Sequence, residues 1–271
     1  MKRGFGYLFS ISTWPRAILA AATALAALAP ARVMPEESAA AKAAFSAYVA
    51  GVEARLKQEH ASTGNILAPV DTARLRRGEF IVEDLTPASE KKMDGALLHD
   101  WRGTAFVPGA KSSDFDRVMK DFAAFPRYFA PQILRTRVLS QNGDHYVITM
   151  RVRQQHIITV VMDMEYDATF TRVDAGGYSI SRSTRVVEID KPGTPQERPL
   201  PPNQDHGFVW QMNNYWTYEE RDGGLYIQVE SVSLSRSIPA GLGWAIGPFI
   251  RSVPRESLEF TLHAASRALR R

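Results

Sequence analysis

HGFVWQMNNYWTYEERDGGLYIQVESVSLSRSIP, residues 206–239, is the stretch on which the reading of the fold turns. From Phe208 to Tyr218 every second side chain is bulky or apolar: Phe208, Trp210, Met212, Trp216 and Tyr218, with Asn214 the polar exception. A period of two marks a strand with one buried face. Asp222-Gly223-Gly224 then reverses the chain, since aspartate and glycine tolerate the positive φ of hairpin turns, and Leu225-Tyr226-Ile227-Gln228-Val229 returns as the partner strand. Ser231, Ser233 and Ser235 continue the face of Leu225, Ile227 and Val229 with side chains small enough to let a helix lie close. That helix follows. Pro254 suits a first helical turn, and Leu258, Leu262, Ala265 and Leu269 recur after it at helical spacing, with Arg267, Arg270 and Arg271 at its end.

Upstream the same logic predicts more sheet. Leu97, His99, Trp101, Ala105 and Val107 share one side of a strand that ends at Pro108-Gly109, and Ser112 or Ser113 can cap a short helix through Asp121. Ile133–Leu139 leads into the hairpin signal Asn142-Gly143. Tyr146, Ile148, Met150 and Val152 alternate with Thr149, Arg151 and Arg153; then Ile158, Val160, Met162, Met164, Tyr166, Ala168 and Phe170 point inward while Asp163, Glu165 and Asp167 point outward. So clean a division predicts an antiparallel sheet with a solvated face. Gly176-Gly177 turns the chain into a strand over Tyr178–Ile189, and a proline-rich loop covers 191–204.

The N-terminus differs in kind. Lys2, Arg3 and Arg16 precede an uncharged run from Ala17 to Ala29 and the small-residue site Ala29-Pro30-Ala31. This is the pattern of a secretory signal peptide cut after Ala31, and the run is shorter than the ~20 apolar residues of a membrane span. The protein is therefore expected to be secreted or periplasmic. Of 33 Lys and Arg, three leave with residues 1–31 while all 29 Asp and Glu stay, so the net charge falls from +4 to +1. Nothing in so mixed a charge pattern suggests nucleic acid as a partner. With no cysteine there is no disulfide framework. Ala41, Phe45, Tyr48, Val49, Val52 and Leu56 form a helical stripe, either laid on the sheet or held out as a partner-binding arm. The domains expected are a signal peptide (1–31), an N-terminal helical extension (32–95) and a main domain (96–271).

Strand, two short helices, a run of antiparallel strands and one long C-terminal helix make an α+β order with helices on one side of a curved sheet. This order, together with Asp121-Phe122-Ala123-Ala124-Phe125-Pro126-Arg127-Tyr128 before Pro131, and the approach Ile238-Pro239 through Pro254, resembles the START-like superfamily. Its helix-grip (SRPBCC) members include lipid-transfer domains, polyketide cyclases and coenzyme-Q-binding proteins. The resemblance implies a curved antiparallel sheet wrapped around the C-terminal helix, with a cavity between them for a lipid, sterol, isoprenoid or polyketide. Many such proteins do no catalysis.

The sequence has no histidine pair at metal spacing, no Gly-x-Ser-x-Gly elbow, no P-loop and no Gly-x-Gly-x-x-Gly, so no catalytic residue, metal site or cofactor is assigned. The candidate cavity residues are His99, Trp101, Met150, Met162, Met164, Tyr166, Arg182, Glu188, Trp210, Met212, Asn214, Trp216, Trp244, Leu258 and Leu262. Asn214 on an apolar face needs a partner, since a buried unpaired amide costs ~1–3 kcal/mol. Arg182 and Glu188 are read as sharing one strand face, paired either inside the cavity or on the surface. The leading reading is a carrier of a hydrophobic small molecule or lipid, with transient membrane contact compatible with it. A cyclase-type enzyme using Asn214, His99 or Arg182 with Glu188, and an interaction module with a filled core, stay open. Pro239–Pro254, with Gly241, Gly243 and Gly247, is either a lid or a fixed cap. The oligomeric state is not legible.

Overall fold

The computed structural model describes residues 37–62, 65–88, 92–93, 95–155, 159–174, 176–201, 204–237 and 243–270. The signal-peptide expectation therefore lies outside the described residues. Pro35–Arg271 form one compact unit. Its elements are α1 (Ala39–His60), α2 (Thr72–Arg76), β1 (Ile81–Asp84), β2 (Lys92–Met93), β3 (Ala96–Pro108), α3 (Ser112–Lys120), a 3-10 turn (Phe122–Ala124), α4 (Phe125–Tyr128), β4 (Ile133–Asn142), β5 (His145–Gln155), β6 (Thr159–Val173), β7 (Gly176–Asp190), β8 (Arg198–Pro199), β9 (Gln211–Arg221), β10 (Gly224–Arg236) and α5 (Gly243–Leu269).

The strands form one curved antiparallel sheet in the order β1-β3-β10-β9-β7-β6-β5-β4, with β2 and β8 pairing the sides of β3 and β7. Both hairpins expected from the sequence close on the residues that signalled them. Asp222 and Gly223 both take positive φ, 56° and 74°, between β9 and β10, and Gly143 takes 58° between β4 and β5. The last helix differs from expectation. It does not open at Pro254 but runs from Gly243 through Pro248 and Pro254. An interior proline costs a helix about 3 kcal/mol, a penalty that burial of Leu258, Leu262, Ala265 and Leu269 beyond it can outweigh. At α3, Ser112 already lies inside the helix, and Asp114 accepts from the Lys111 backbone N–H at 2.9 Å, so neither serine caps it.

The sheet is covered on both faces near its centre. Helix α5 occupies the inner face, and α1 lies across the outer one, so the helical extension packs as a layer. Ala41, Phe45, Val49, Val52 and Leu56 of α1 bury against Ala96, Leu98, Tyr215, Val232 and Leu234. Each of the larger side chains contributes roughly 1.5–3 kcal/mol. Farther along, the outer side chains Arg151 and Asp163 pair at 2.7 Å, and Arg185 and Glu165 at 3.2 Å, on the solvated stretch that the alternation predicted.

Polar groups are also trapped beneath α1. Tyr48 Oη donates to Asp100 Oδ2 at 2.7 Å, while Asp100 Oδ1 has no partner among the described residues. Arg102 donates through Nη2 to Glu230 Oε2 at 2.9 Å, and Arg55 of α1 reaches the same carboxylate. His60 rests on Tyr178 with ring centroids 4.0 Å apart and bonds Thr217 Oγ1 at 2.9 Å; burial lowers its pKa to about 4. Burial first, and the neighbouring Glu230 second, hold the Asp100 carboxyl well above the usual carboxylate range.

Because Asp100 ionises less readily folded than unfolded, its contribution to stability is complete below about pH 4 and is lost as pH rises towards neutrality. Asp100→Asn keeps the acceptor for Tyr48 and removes the ionisation. Chemical denaturation across this range should show a smaller fall in stability for the variant, and greater stability than the parent at about pH 8. Parallel curves would show that Asp100 ionises normally in the folded protein.

Candidate functional site

Strand alternation sorts the inner face. Gly103 on β3 points at α5: a Cβ placed there would lie 3.3 Å from methyl carbons of both Leu258 and Leu262. His99, Trp101, Ala105 and Val107 share its side of the strand. The register carries this side to Ser231 on β10 and Asn214 on β9, then to Ser181 on β7. One end of the face is closed by aromatic packing. Phe115 of α3 stacks on Tyr218 at 4.1 Å and meets Trp216 edge-on at 5.8 Å, and Phe122 contacts Phe125 and Tyr146, each at 5.1 Å. Met162, Met164, Tyr166, Trp216, Leu258 and Leu262, expected as cavity wall, are all buried in this cluster. An antiparallel sheet closed over a long C-terminal helix, with two short helices after the first long strand, decides the architecture. The fold is a helix grip.

Among family models none matches the chain, and no curated protein matches it. Solved structures similar to it include a STAR-related lipid transfer protein from Xanthomonas axonopodis, 17% identical over 70% of this chain and 99% of that one, with a TM-score of 0.42. The Zhui aromatase/cyclase from Streptomyces sp. R1128 is 14% identical over 64% of this chain and 94% of its own, with a TM-score of 0.43. Human STARD10 is 9% identical over 75% of this chain and 82% of its own, also with a TM-score of 0.43.

The opposite end of the helix grip's inner face is more polar, and its large apolar side chains are less deeply buried. Trp101, Met150 and Met212 are half-buried there and pack on the edge of the main core. His99 Nε2 lies 3.0 Å from Ser235 Oγ, so this small serine of β10 serves as a hydrogen-bonding partner as well as space. Asn214 is half-buried, and among the described residues its side chain has no hydrogen bond. The partner expected for it is absent because its amide keeps contact with solvent.

Two expected residues are elsewhere. Between Ser183, opposite Tyr166, and Arg185, opposite Glu165, Thr184 is an extra residue, and this β-bulge turns the strand over. Arg182 therefore faces outward, donating to Glu53 Oε1 of α1 at 2.6 Å, whereas Glu188 faces inward opposite Met162. They cannot pair. Glu188 instead accepts from the His206 backbone N–H at 2.9 Å and contacts His206 Nδ1. Trp210 is also outside, packed with the α1 cluster and facing the Arg236 guanidinium at 5.5 Å. Strand β9 begins only at Gln211, after Gly207 at φ 66°, so the alternation read from Phe208 does not hold there. The Trp244 side chain and residues 238–242 of the lid-or-cap segment lie outside the described residues.

A hollow of ≈ 500 Å³ opens where sequence reasoning placed no site, between β1 and α5, lined by Arg74, Phe80, Ile81, Val82, Arg255, Glu259 and His263. Val82 lies opposite Gly103 and so faces the helix. Phe80, two residues back, follows it, and its ring sits 3.8 Å from that of His263. Arg255, Glu259 and His263 succeed one another at four-residue steps along one stripe of α5. Arg255 Nε donates to Glu259 Oε1 at 2.8 Å and Arg74 Nε to Glu79 Oε2 at 2.9 Å, both on the surface, where such pairs are weak and open to exchange. The signals were present: Glu79-Phe80-Ile81-Val82 reads as a short strand, and 255, 259 and 263 form a polar helix stripe. What the sequence lacks is the pairing of β1 with β3, which brings them together.

Chemically the hollow offers an apolar floor with cationic and imidazole groups at its rim. At the other end Glu188, itself buried, orients an imidazole whose Nε2 is left for acid–base exchange. Among the described residues no group of three or more His, Asp or Glu is placed to hold a metal ion. The hydrogen bond to Glu188 raises the His206 pKa. The raised value means stabilisation that is complete below the unfolded pKa near 6.5 and is lost as pH rises through the folded value. His206→Gln should therefore lower the denaturation midpoint clearly at about pH 6 and by less at about pH 9. An equal loss at both would show that the pair contributes no charge interaction.

Proposed function

We propose that this protein binds a hydrophobic small molecule, without turning it over, in the space between its sheet and its C-terminal helix. The observation that carries this reading is the ≈ 500 Å³ hollow between β1 and α5, a volume within the ~300–1,000 Å³ of small-molecule sites. Phe80 and Val82 suit the apolar body of a lipid, isoprenoid or polyketide-like molecule. Arg74, Arg255 and His263 suit a polar or anionic end, since a carboxylate can replace Glu79 or Glu259 on an exposed guanidinium.

The test begins with native mass spectrometry and organic extraction of protein purified from its host. The recovered molecule is then titrated against Val82→Trp, which fills the hollow, and Met212→Trp, which fills the histidine and serine end of the inner face. Val82→Trp should weaken binding at least tenfold with little change in melting temperature, and Met212→Trp should not. The reverse pattern would move the ligand to the inner face, and no effect of either would end the proposal.

Export belongs to the same reading. N-terminal sequencing of protein from its host should begin within a few residues of Arg32, and retention of Met1–Arg16 in a membrane fraction would overturn this. Catalysis is the second reading, favoured by the His206–Glu188 pair. A mass change in the recovered molecule on incubation with the parent, absent with His206→Gln, would establish it.

A further inference from the structure

We propose that β4, the edge strand opposite β1, is a docking surface for an anionic phospholipid bilayer. Its support is independent of what the hollow holds. The strand ends the sheet, with β5 its neighbour on one side and, among the described residues, no strand paired to its other edge. Edge strands in soluble proteins are ordinarily protected by charge, by bulges or by a covering element. Here the protection is partial. Leu134, Val138 and Leu139 are 40%, 41% and 47% exposed, and these are the exposed large hydrophobic residues among those described. All three lie on this one strand. Leu134 and Leu139 fall at its two register shifts and have no Cα partner on β5.

The charges on β4 also differ from those of β6 and β7, which carry acids as well as arginines. On β5 to β7 three outward arginines have acids: Arg151 has Asp163 and Glu197, Arg182 has Glu53, and Arg185 has Glu165, while Arg153, beside β4, has none among the described residues. Arg135 and Arg137 of β4 are exposed, and among the described residues neither has an ion pair. No residue from Ile133 to Asn142 is acidic. Exposed leucines flanking two unpaired guanidiniums suit a surface that takes up apolar side chains and carries negative charge, as an anionic bilayer does. A second copy fits less well. Edge-to-edge pairing needs an unbroken ladder, which both bulges interrupt, and it would bring four arginines together.

The experiment is flotation of the purified protein with vesicles of phosphatidylcholine, alone or mixed with phosphatidylglycerol. Binding is expected to the mixed vesicles and to weaken as salt is raised. Arg135→Gln and Arg137→Gln should each lower partitioning about fivefold, the value of one cation near such a surface. Leu134→Ser with Leu139→Ser should lower it further at unchanged melting temperature, because these side chains are exposed already. Leu139→Trp supplies a second readout: its added emission should shift to the blue with mixed vesicles and stay put with phosphatidylcholine alone. Equal binding by the parent and the combined variant, no binding at all, or a concentration-dependent dimer abolished by the leucine changes would each overturn the proposal, the last by assigning the strand to a second copy.

Discussion

At Gly103 the backbone of β3 meets Leu258 and Leu262 of α5, and the rest of the interior depends on that close approach. A side chain there would meet both leucines at 3.3 Å, so the helix would have to give way or lift. With the helix seated at this depth, the aromatic cluster of Phe115, Phe122, Trp216 and Tyr218 closes one end of the inner face. The same seating sets the stripe Arg255, Glu259 and His263 over the edge of the sheet, where β1 can reach it.

Covering the inner face leaves an apolar outer face at the sheet centre, and α1 is the answer to it. Leu98, Tyr215, Val232 and Leu234 would otherwise be an exposed patch, and Phe45, Val49, Val52 and Leu56 bury them. The layer is not purely apolar. Asp100, Arg102 and Glu230 lie under the helix, and breaking a buried pair by removing one partner commonly costs ~3–5 kcal/mol because the other charge is left alone. Such groups tie α1 to one position on the sheet. Arg182, directed outward by the β7 bulge, joins the same system through Glu53, which also accepts from Tyr215 Oη at 3.0 Å.

The N-terminal segment thus does two things for the architecture. Its helix closes the outer face, and its strand β1 lengthens the sheet past β3 and supplies the wall of the hollow through Phe80 and Val82. A candidate site built partly from this segment could not come from a reading that began the ligand-binding domain at Ala96. His206 illustrates the same limit: it meets Glu188 across 18 positions of sequence only because a loop returns to the inner end of β7.

What the sequence determined by itself was local. Alternation over Tyr146–Val152 and Val160–Phe170, the Asn142-Gly143 and Asp222-Gly223 turns, the helical stripe of α1 and the final helix were legible because each rests on a few neighbouring residues and the periods of strand and helix. These were enough for the order of elements and hence the fold. Tertiary structure decided the rest. Thr184 as an extra residue put Glu188 inside and Arg182 outside, a reversal that a period of two cannot foresee, because it arises from how β7 registers on β6. The seating on Gly103, the addition of β1 to β3, and the hollow between β1 and α5 likewise depend on pairings between distant segments. Local propensity does not encode such pairings; they are set by which surfaces of the whole chain can be buried together.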